Sequence, residues 1–346
     1  MKTEILKIRS IVSDIDKIRR AGELLRGGEV IAIPTETVYG LAANALDEEA
    51  VARIFEIKGR PQDNPLIVHI SEEYDLEKLC EDIPESAYKL AHAFWPGPLT
   101  MVLKKKDVVP GIVTAGLDTV GVRCPRGRFA RAIIRSAGVP LAAPSANISG
   151  RPSPTDAKHV IEDLDGRVKA IVDGGRCSVG VESTVIDMTR ETPVVLRPGG
   201  ITLTQLKRVL GKVDTSFEAV GEVRSPGMKY RHYAPKAPVK VLIGGLSDAA
   251  EFIKKQSVNR KVAVICFEEE AESFKETGAP VIPYGRESEP AELARGLFDA
   301  LRRADESGAE EIYAREPGIG EGIELAVINR LEKAAGYNRI ILDMNQ

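Results

Sequence analysis

Short apolar runs constrain the fold of this chain most, because their spacing changes once along its length. Over the first two hundred residues they fall at 29–33, 66–70, 99–103, 120–124, 169–173, 183–187 and 193–197. Amphipathic segments at 15–25, 47–58, 84–94, 129–137, 155–164 and 202–210 predict helices between some of them, with Asp14 and Asp47 as N-caps and Gly27 and Gly59 as stops. Other runs are joined by a turn alone. A run followed by a turn pairs antiparallel with the next, and a run followed by a helix pairs parallel, so a mixed sheet is expected. From Val239 the alternation is strict. Strands are predicted at 239–243, 261–266, 280–283, 310–314 and 338–342, with helices at 247–256, about 269–276, 289–304 and 323–335. That pattern predicts a small parallel α/β domain. Residues 211–238 hold no period and are read as a linker. The resulting division, 1–210, 211–238 and 239–346, suits 346 residues at ~100–200 residues per domain.

Charge narrows the function classes. Lys and Arg number 48 against 51 Asp and Glu, a net charge of −3, and aromatics are only 5%. This balance argues against a nucleic-acid coat protein and against a base-stacking platform. Cys80, Cys124, Cys177 and Cys266 form no C-x-x-C pair, so neither a zinc knuckle nor a disulfide framework is expected. The first residues contain no signal-peptide core, and no run reaches the ~20 apolar residues of a membrane span. The expectation is a reduced, cytoplasmic protein with no membrane partner.

The unusual segments all lie in the first domain. PTETVYG (34–40) follows an apolar strand and delivers Thr35, Glu36 and Thr37 where open α/β sheets present ligand groups. A Pro turn with local capping is the competing reading. KGRPQDNPL (58–66) sets Lys58 and Arg60 beside a turn containing Asn64. Lys58 also suits the last turn of a helix, as dipole compensation. His69 sits in the following strand, where a satisfied core histidine is the common case. Arg123, Arg126, Arg128, Arg131 and Arg135 occur with no intervening acid and predict a basic face attractive to phosphates or RNA. Arg123 ends an apolar strand and is expected to point into a cleft. APSANISGRPSPT (143–155) offers Ser145 and Asn147 as well as backbone amides, with Thr155 as a possible N-cap. Ser183 opens one strand and Arg197 ends another.

Absences matter equally. There is no G-x-x-x-x-G-K-[ST], no G-x-G-x-x-G after the early strands and no G-x-S-x-G. GIGEG (318–322) is a weak phosphate-loop signal, and a turn is the simpler reading. A phosphate site without a Walker loop needs side-chain cations, and Lys58, Arg60, Arg123 and Arg197 are the candidates.

Taken together, PTETVYGL, KGRPQDNPLIVHI, WPGPLT, TAGLDTVGVRCP, APSANISGRPSPT, VDGG, GVESTV, LRPGG, SPGMKYRHYAP and LAVINR closely resemble the two-domain form of the threonylcarbamoyl-AMP synthase family. The resemblance implies a YrdC-like twisted mixed open sheet with helices, a linker and a small Rossmann-like parallel α/β domain. It implies a nucleotidyltransferase that joins L-threonine, bicarbonate and ATP into threonylcarbamoyl-AMP and pyrophosphate. A threonylcarbamoyl transferase complex downstream, with weak direct tRNA contact, would complete modification of an adenosine beside the anticodon. By motif position, Thr35, His69, Arg123, Ala143 (through its backbone) and Ser183 are implied on the threonine side. Lys58, Arg60, Asn64, Thr119, Ser145, Ser153, Arg197 and Tyr230 are implied on the ATP side. Lys58, Arg60 and Arg123 would serve the chemistry. Mg²⁺ would be held mainly by the ATP phosphates, with no protein metal site. The linker, with Tyr230, Arg231, His232 and Tyr233, is expected to act as a lid. The competing expectation is an RNA-binding module of the same fold that makes no adenylate.

Overall fold

A computed structural model describes residues 2–216 and 233–342. Tyr230, Arg231 and His232, and the lid expected from them, lie outside the described residues. The chain divides into two compact units, residues 1–149 with 153–217, and residues 150–152 with 218–346.

The first unit is built on one mixed sheet. Its strands are β1 (Glu4–Lys7), β2 (Ile31–Ile33), β3 (Gly40–Asn44), β4 (Ile67–His69), β5 (Leu99–Lys104), β6 (Thr119–Arg123), β7 (Leu141–Ala142), β8 (Ala170–Asp173), β9 (Thr184–Asp187), β10 (Val194–Arg197) and β11 (Asp214–Thr215). Their order is β1-β8-β2-β3-β7-β4-β6-β5-β9-β10-β11. Parallel pairs such as β4 with β6 alternate with antiparallel pairs such as β5 with β6, as the mixed spacing of the runs requires. The pleat sends alternate side chains to opposite faces. Ile31 and Ile33 join a core with Leu25, Phe129 and Ile133, whereas Val30 and Ala32 join the core on the other face with Tyr39, Leu41 and Ile54. Both faces are covered, so β2 reads as a continuous apolar run rather than an alternating one.

Helix boundaries follow local chemistry. In Glu48–Lys58 the Asp47 carboxylate accepts the Ala50 N–H at 3.1 Å, and Gly59 stops the helix in the left-handed region. Helix Leu203–Leu210 opens with a reciprocal Thr202–Gln205 capping box. Two expectations need correction. The cap of helix Ala157–Leu164 is Asp156, not Thr155. Asp14 precedes helix Ile15–Arg26, but its carboxylate accepts the Arg9 and Ser10 N–H groups instead of capping the helix. Strands β1, β3, β7 and β11 were not foreseen. β11 falls inside the stretch read as linker and pairs parallel with β10.

The second unit carries a parallel sheet of β12 (Val239–Ile243), β13 (Val262–Cys266), β14 (Val281–Pro283), β15 (Glu311–Arg315) and β16 (Arg339–Ile341), ordered β14-β13-β15-β12-β16. Every residue of β13 is buried. The helix expected near 269–276 is a short helix, Ala271–Phe274, flanked by 3₁₀ turns. Among the described residues no helix is long and apolar enough to cross a membrane.

Candidate active site

Strand order sets a row of polar groups across the first sheet. His69 pairs in register with Arg123, Met101 with Val122, Leu99 with Thr184, and Arg197 with Val185. His69, Arg123, Thr100, Ser183 and Arg197 therefore follow one another over neighbouring strands. The Ser183 hydroxyl lies 2.7 Å from Thr100 Oγ1 and accepts from Arg197 Nη2 at 3.1 Å, while Arg197 Nε donates to the Ser183 carbonyl at 3.0 Å. Gly199 makes this possible. A Cβ there would stand 2.2 Å from Thr184 N and 2.5 Å from the Glu182 carbonyl oxygen. Gly199→Ala is accordingly expected to cost about 2 kcal/mol, in the usual range for overpacking. Urea unfolding checks this, and an unchanged midpoint would refute it.

Arg123 is fully engaged. Its guanidinium donates to Glu36 Oε1 at 2.7 Å, Thr37 Oγ1 at 2.9 Å and the Gly97 carbonyl at 3.2 Å. Both members of the ion pair are 4% exposed. Burial alone would raise the Glu36 pKa. The Arg123 charge and backbone N–H donors outweigh it and hold the carboxyl below its ordinary value. Thr37 in turn lies 2.9 Å from the Thr35 hydroxyl, which donates to the Val38 carbonyl. The arginine thus orients the 34–38 loop instead of projecting as an open cation. Two further backbone bonds pin that loop, Val179 N–H to the Glu36 carbonyl and Gly180 N–H to the Thr37 carbonyl.

His69 is buried, and Nδ1 has no hydrogen-bond partner in the structure. Burial, then the Arg123 charge, lower its pKa to about 3. The imidazole is neutral at pH 7. The folded pKa lies below the unfolded ~6.5, so the unfolded state binds more protons between these values. Stability is complete above pH 6.5 and falls as pH drops through the window. About 1 kcal/mol should be lost between pH 7 and 5.5, and His69→Gln should remove that slope. Denaturant titration at the two pH values decides; an equal slope in the variant would refute the assignment.

The third component is the 143–155 loop. Lys58 is buried at the end of its helix, and Nζ donates to the Ser145 carbonyl at 2.5 Å and the Asn147 carbonyl at 2.8 Å. Burial, then the Arg60 charge, lower its pKa to about 7, while Asp163 and Glu182 oppose the shift. Ser149 N–H returns a bond to the Lys58 carbonyl. At the far end of the loop, Ser153 donates to Glu182 Oε1 at 2.6 Å. Ala143 N–H is occupied by the Ile67 carbonyl. Arg60 donates to the Asn64 carbonyl at 3.0 Å on a more exposed turn. Thr119 begins β6 and Arg123 ends it, so the two stand roughly 13 Å apart at ~3.3 Å per residue. Thr119 is therefore not part of the row.

A family model described as telomere recombination matches residues 23–199, and one described as threonylcarbamoyl-AMP synthase, C-terminal domain, matches 201–336. A threonylcarbamoyl-AMP synthase of Pyrococcus abyssi is 49% identical over 98% of this chain and 99% of its own length. One of Bacillus subtilis is 49% identical over 92% and 93%. The chain belongs to the threonylcarbamoyl-AMP synthase family. The crystal structure of P. abyssi Sua5 complexed with L-threonine superposes with a TM-score of 0.89 at 47% identity, covering 99% of this chain and 100% of that one. E. coli YciO matches over 57% of this chain and 96% of its own, with a TM-score of 0.51 and 27% identity.

For a threonylcarbamoyl-AMP synthase the residues that were missed are informative. Thr100 and Glu182 stood within the WPGPLT and GVESTV motifs without being singled out, and Glu36 was noted only as part of a loop. A glutamate between two threonines reads as surface until its arginine partner is located. The basic face is also weaker than its composition suggests. Arg131 donates to Glu72 at 3.2 and 3.3 Å and Arg135 pairs with the same carboxylate, while Arg128 lies over Phe129.

Proposed function

We propose that this chain makes L-threonylcarbamoyl-AMP and pyrophosphate from L-threonine, bicarbonate and ATP, and that a downstream threonylcarbamoyl transferase complex consumes the adenylate to modify tRNA. The observation that carries the reading is the row His69–Arg123–Thr100–Ser183–Arg197, set against the Lys58-held 143–155 loop. Full-length similarity to named synthases supports it.

The chemistry needs positioning more than a nucleophile from the protein. The threonine amine adds to the carbon of bicarbonate-derived carbon dioxide, losing a proton, and gives a carbamate. A carbamate oxygen then attacks the α-phosphorus of ATP, and pyrophosphate leaves. Such phosphoryl transfer is accelerated mainly by orientation and charge stabilisation. Thr35, His69, Arg123, Ala143 and Ser183 form the proposed threonine side. Among these, the Ser183 hydroxyl and the neutral His69 Nδ1 supply hydrogen-bonding capacity in buried surroundings. Lys58, Arg60, Asn64, Thr119, Ser145, Ser153, Arg197 and Tyr230 are proposed for ATP. Lys58 acts by shaping the loop, and Arg197 stands beside Ser183 where the two sides meet. Among the described residues no group of three or more His, Cys, Asp or Glu is placed to hold a metal ion. Mg²⁺ is proposed to enter with the ATP phosphates, whose charge it would neutralise.

The test is pyrophosphate release measured with each substrate omitted in turn. Release should require threonine, bicarbonate and ATP together. A site that hydrogen-bonds the substrate hydroxyl rejects an analogue lacking it, because its own polar groups are left unpaired. 2-Aminobutyrate should therefore react at least about tenfold more slowly than threonine, with serine between them. Equal rates with all three amino acids, or release without threonine, would overturn the proposal.

A further inference from the structure

Tyr39 lies in the PTETVYG segment and is fully buried, yet no step proposed above uses it. Its polar groups join three segments of the first unit. The main-chain N–H donates to the Pro154 carbonyl and the main-chain carbonyl accepts the Ala146 N–H, both at 2.8 Å. Tyr39 thereby grips the 143–155 loop at two points, beside Ser153 and Ser145, which are proposed for ATP. The phenol reaches the VDGG turn. Its hydroxyl donates to the Gly175 carbonyl at 2.7 Å and accepts the Gly174 N–H at 3.2 Å.

The turn is itself held in place. Gly174 lies against the start of the PTETVYG segment, where a Cβ would stand 2.5 Å from Pro34 Cγ. Gly175 has a φ of +86°, a left-handed conformation natural to glycine, and its N–H donates to Asp173 Oδ1 at 3.1 Å. Asp173 pairs in turn with Arg9 at 2.9 Å. Beyond the turn, the Cys177 N–H donates to the Thr155 carbonyl at 2.9 Å, and Val179 and Gly180 hold the Glu36 and Thr37 carbonyls. Residues 173–180 therefore touch both 34–39 and the end of the 143–155 loop. A phenylalanine at position 39 would fill the same space without burying a hydroxyl, so packing alone does not account for a tyrosine. Burial pushes the phenol far above its ordinary pKa, and the hydroxyl stays both donor and acceptor at any working pH.

We propose that Tyr39 is a positioning residue for adenylate formation: anchored on the VDGG turn, it sets the 34–38 loop and the 143–155 loop at their reacting separation. The inference rests on the synthase reading and adds a residue to it. On that reading threonine sits against the first loop and the nucleotide against the second, so each can bind alone. The bond from the carbamate oxygen to the α-phosphorus needs both loops in place, and a misplacement of ~1 Å can cost on the order of 10²-fold in rate. Loss of the hydroxyl therefore acts on kcat rather than on either affinity.

The experiment compares wild type, Tyr39→Phe, Gly175→Ala and Gly138→Ala in the full-length chain. Pyrophosphate release at saturating substrates gives kcat. Calorimetry gives the affinities for threonine and for a non-hydrolysable ATP analogue, and urea unfolding reports stability. Tyr39→Phe keeps the ring and both main-chain bonds; it should lower kcat about tenfold or more and leave both affinities within about twofold. Gly175→Ala keeps the hydroxyl and strains the turn, with nothing within 4 Å of the added Cβ. It should lower kcat in the same sense, by about threefold. Gly138→Ala is the control, since it imposes comparable strain at φ +69°, again with nothing within 4 Å, at the end of helix Arg128–Ala137. Its unfolding midpoint should fall like that of Gly175→Ala, while its kcat stays within about twofold of wild type. Should Tyr39→Phe lose its cooperative melt, the two glycine variants decide alone. An unchanged kcat in folded Tyr39→Phe, a comparable loss of affinity for either ligand, or equal kcat losses in the two glycine variants overturns the positioning role. Pyrophosphate release by the wild type without threonine sinks the synthase reading instead, so the two failures are distinct.

Discussion

Arg123→Met is expected to lower the stability of the first unit by roughly 3–5 kcal/mol and to reduce pyrophosphate release by a factor on the order of 10²–10³. The first effect follows from what is left behind. Glu36 would keep the Gly127 N–H at 3.1 Å but lose its only described cationic partner, in a site 5% exposed. A lone buried carboxylate is far more costly than the pair is stabilising. The second follows from geometry, because Thr37, and Thr35 beyond it, take their places from the same guanidinium. The double variant Glu36→Gln/Arg123→Met separates the two. It removes both charges and should regain most of the stability, whereas activity should stay lost. Guanidinium unfolding and pyrophosphate release measure them side by side. Recovery of activity along with stability would mean that the pair only maintains the fold.

Lys58→Met should weaken ATP by tenfold or more while leaving the first sheet intact. The half-buried Ser145 carbonyl and the buried Asn147 carbonyl would each lose a donor, at about 1–3 kcal/mol per group. The loop they belong to would loosen. Its titration gives a second readout. The pKa of about 7 lies below the ordinary 10.5 because of burial, then Arg60. Between these values the unfolded state binds more protons, so Lys58 makes stability rise with pH from 7 towards 10.5. Bound phosphates would favour the charged amine. At pH 8 the wild type should therefore take up part of a proton on binding nucleotide, and Lys58→Met should not. Calorimetry in two buffers of different ionisation enthalpy detects this. Identical proton uptake in the variant would place the nucleotide away from Lys58.

What could be read from the amino acids follows the range of the forces involved. Apolar runs such as 66–70 and 261–266 report burial directly, and the strands formed there with boundaries shifted by about a residue. β3 was invisible because GLAAN is built largely of small residues, and Gly40 packs closely: a Cβ there would stand 3.2 Å from the Ala143 Cβ. β11 forms only because β10 offers an edge, which no local pattern reveals. At the site, Lys58, His69 and Ser183 were legible as polar residues in unusual settings. Their partners were not. Lys58 is held by carbonyls, which every residue possesses, and the Thr100–Ser183 contact depends on β5 and β9 being neighbours.

The pairing of β1 has a consequence for biosynthesis. Glu4 and Ala170 are register partners, as are Lys7 and Asp173. At ~5–20 residues per second, a ribosome emits β1 on the order of ten seconds or more before β8 exists to receive it. Throughout that interval the strand has an open edge. Ser183 and Arg197 emerge later still, so an interrupted nascent chain has none of the assembled row. The first unit must form late and nearly at once, through contacts distant in sequence, a topology that folds slowly. Variants that slow the closing of β1 onto β8 should therefore be felt first as lower yield of folded protein at high growth temperature, before any fall in the activity of the molecules that do fold.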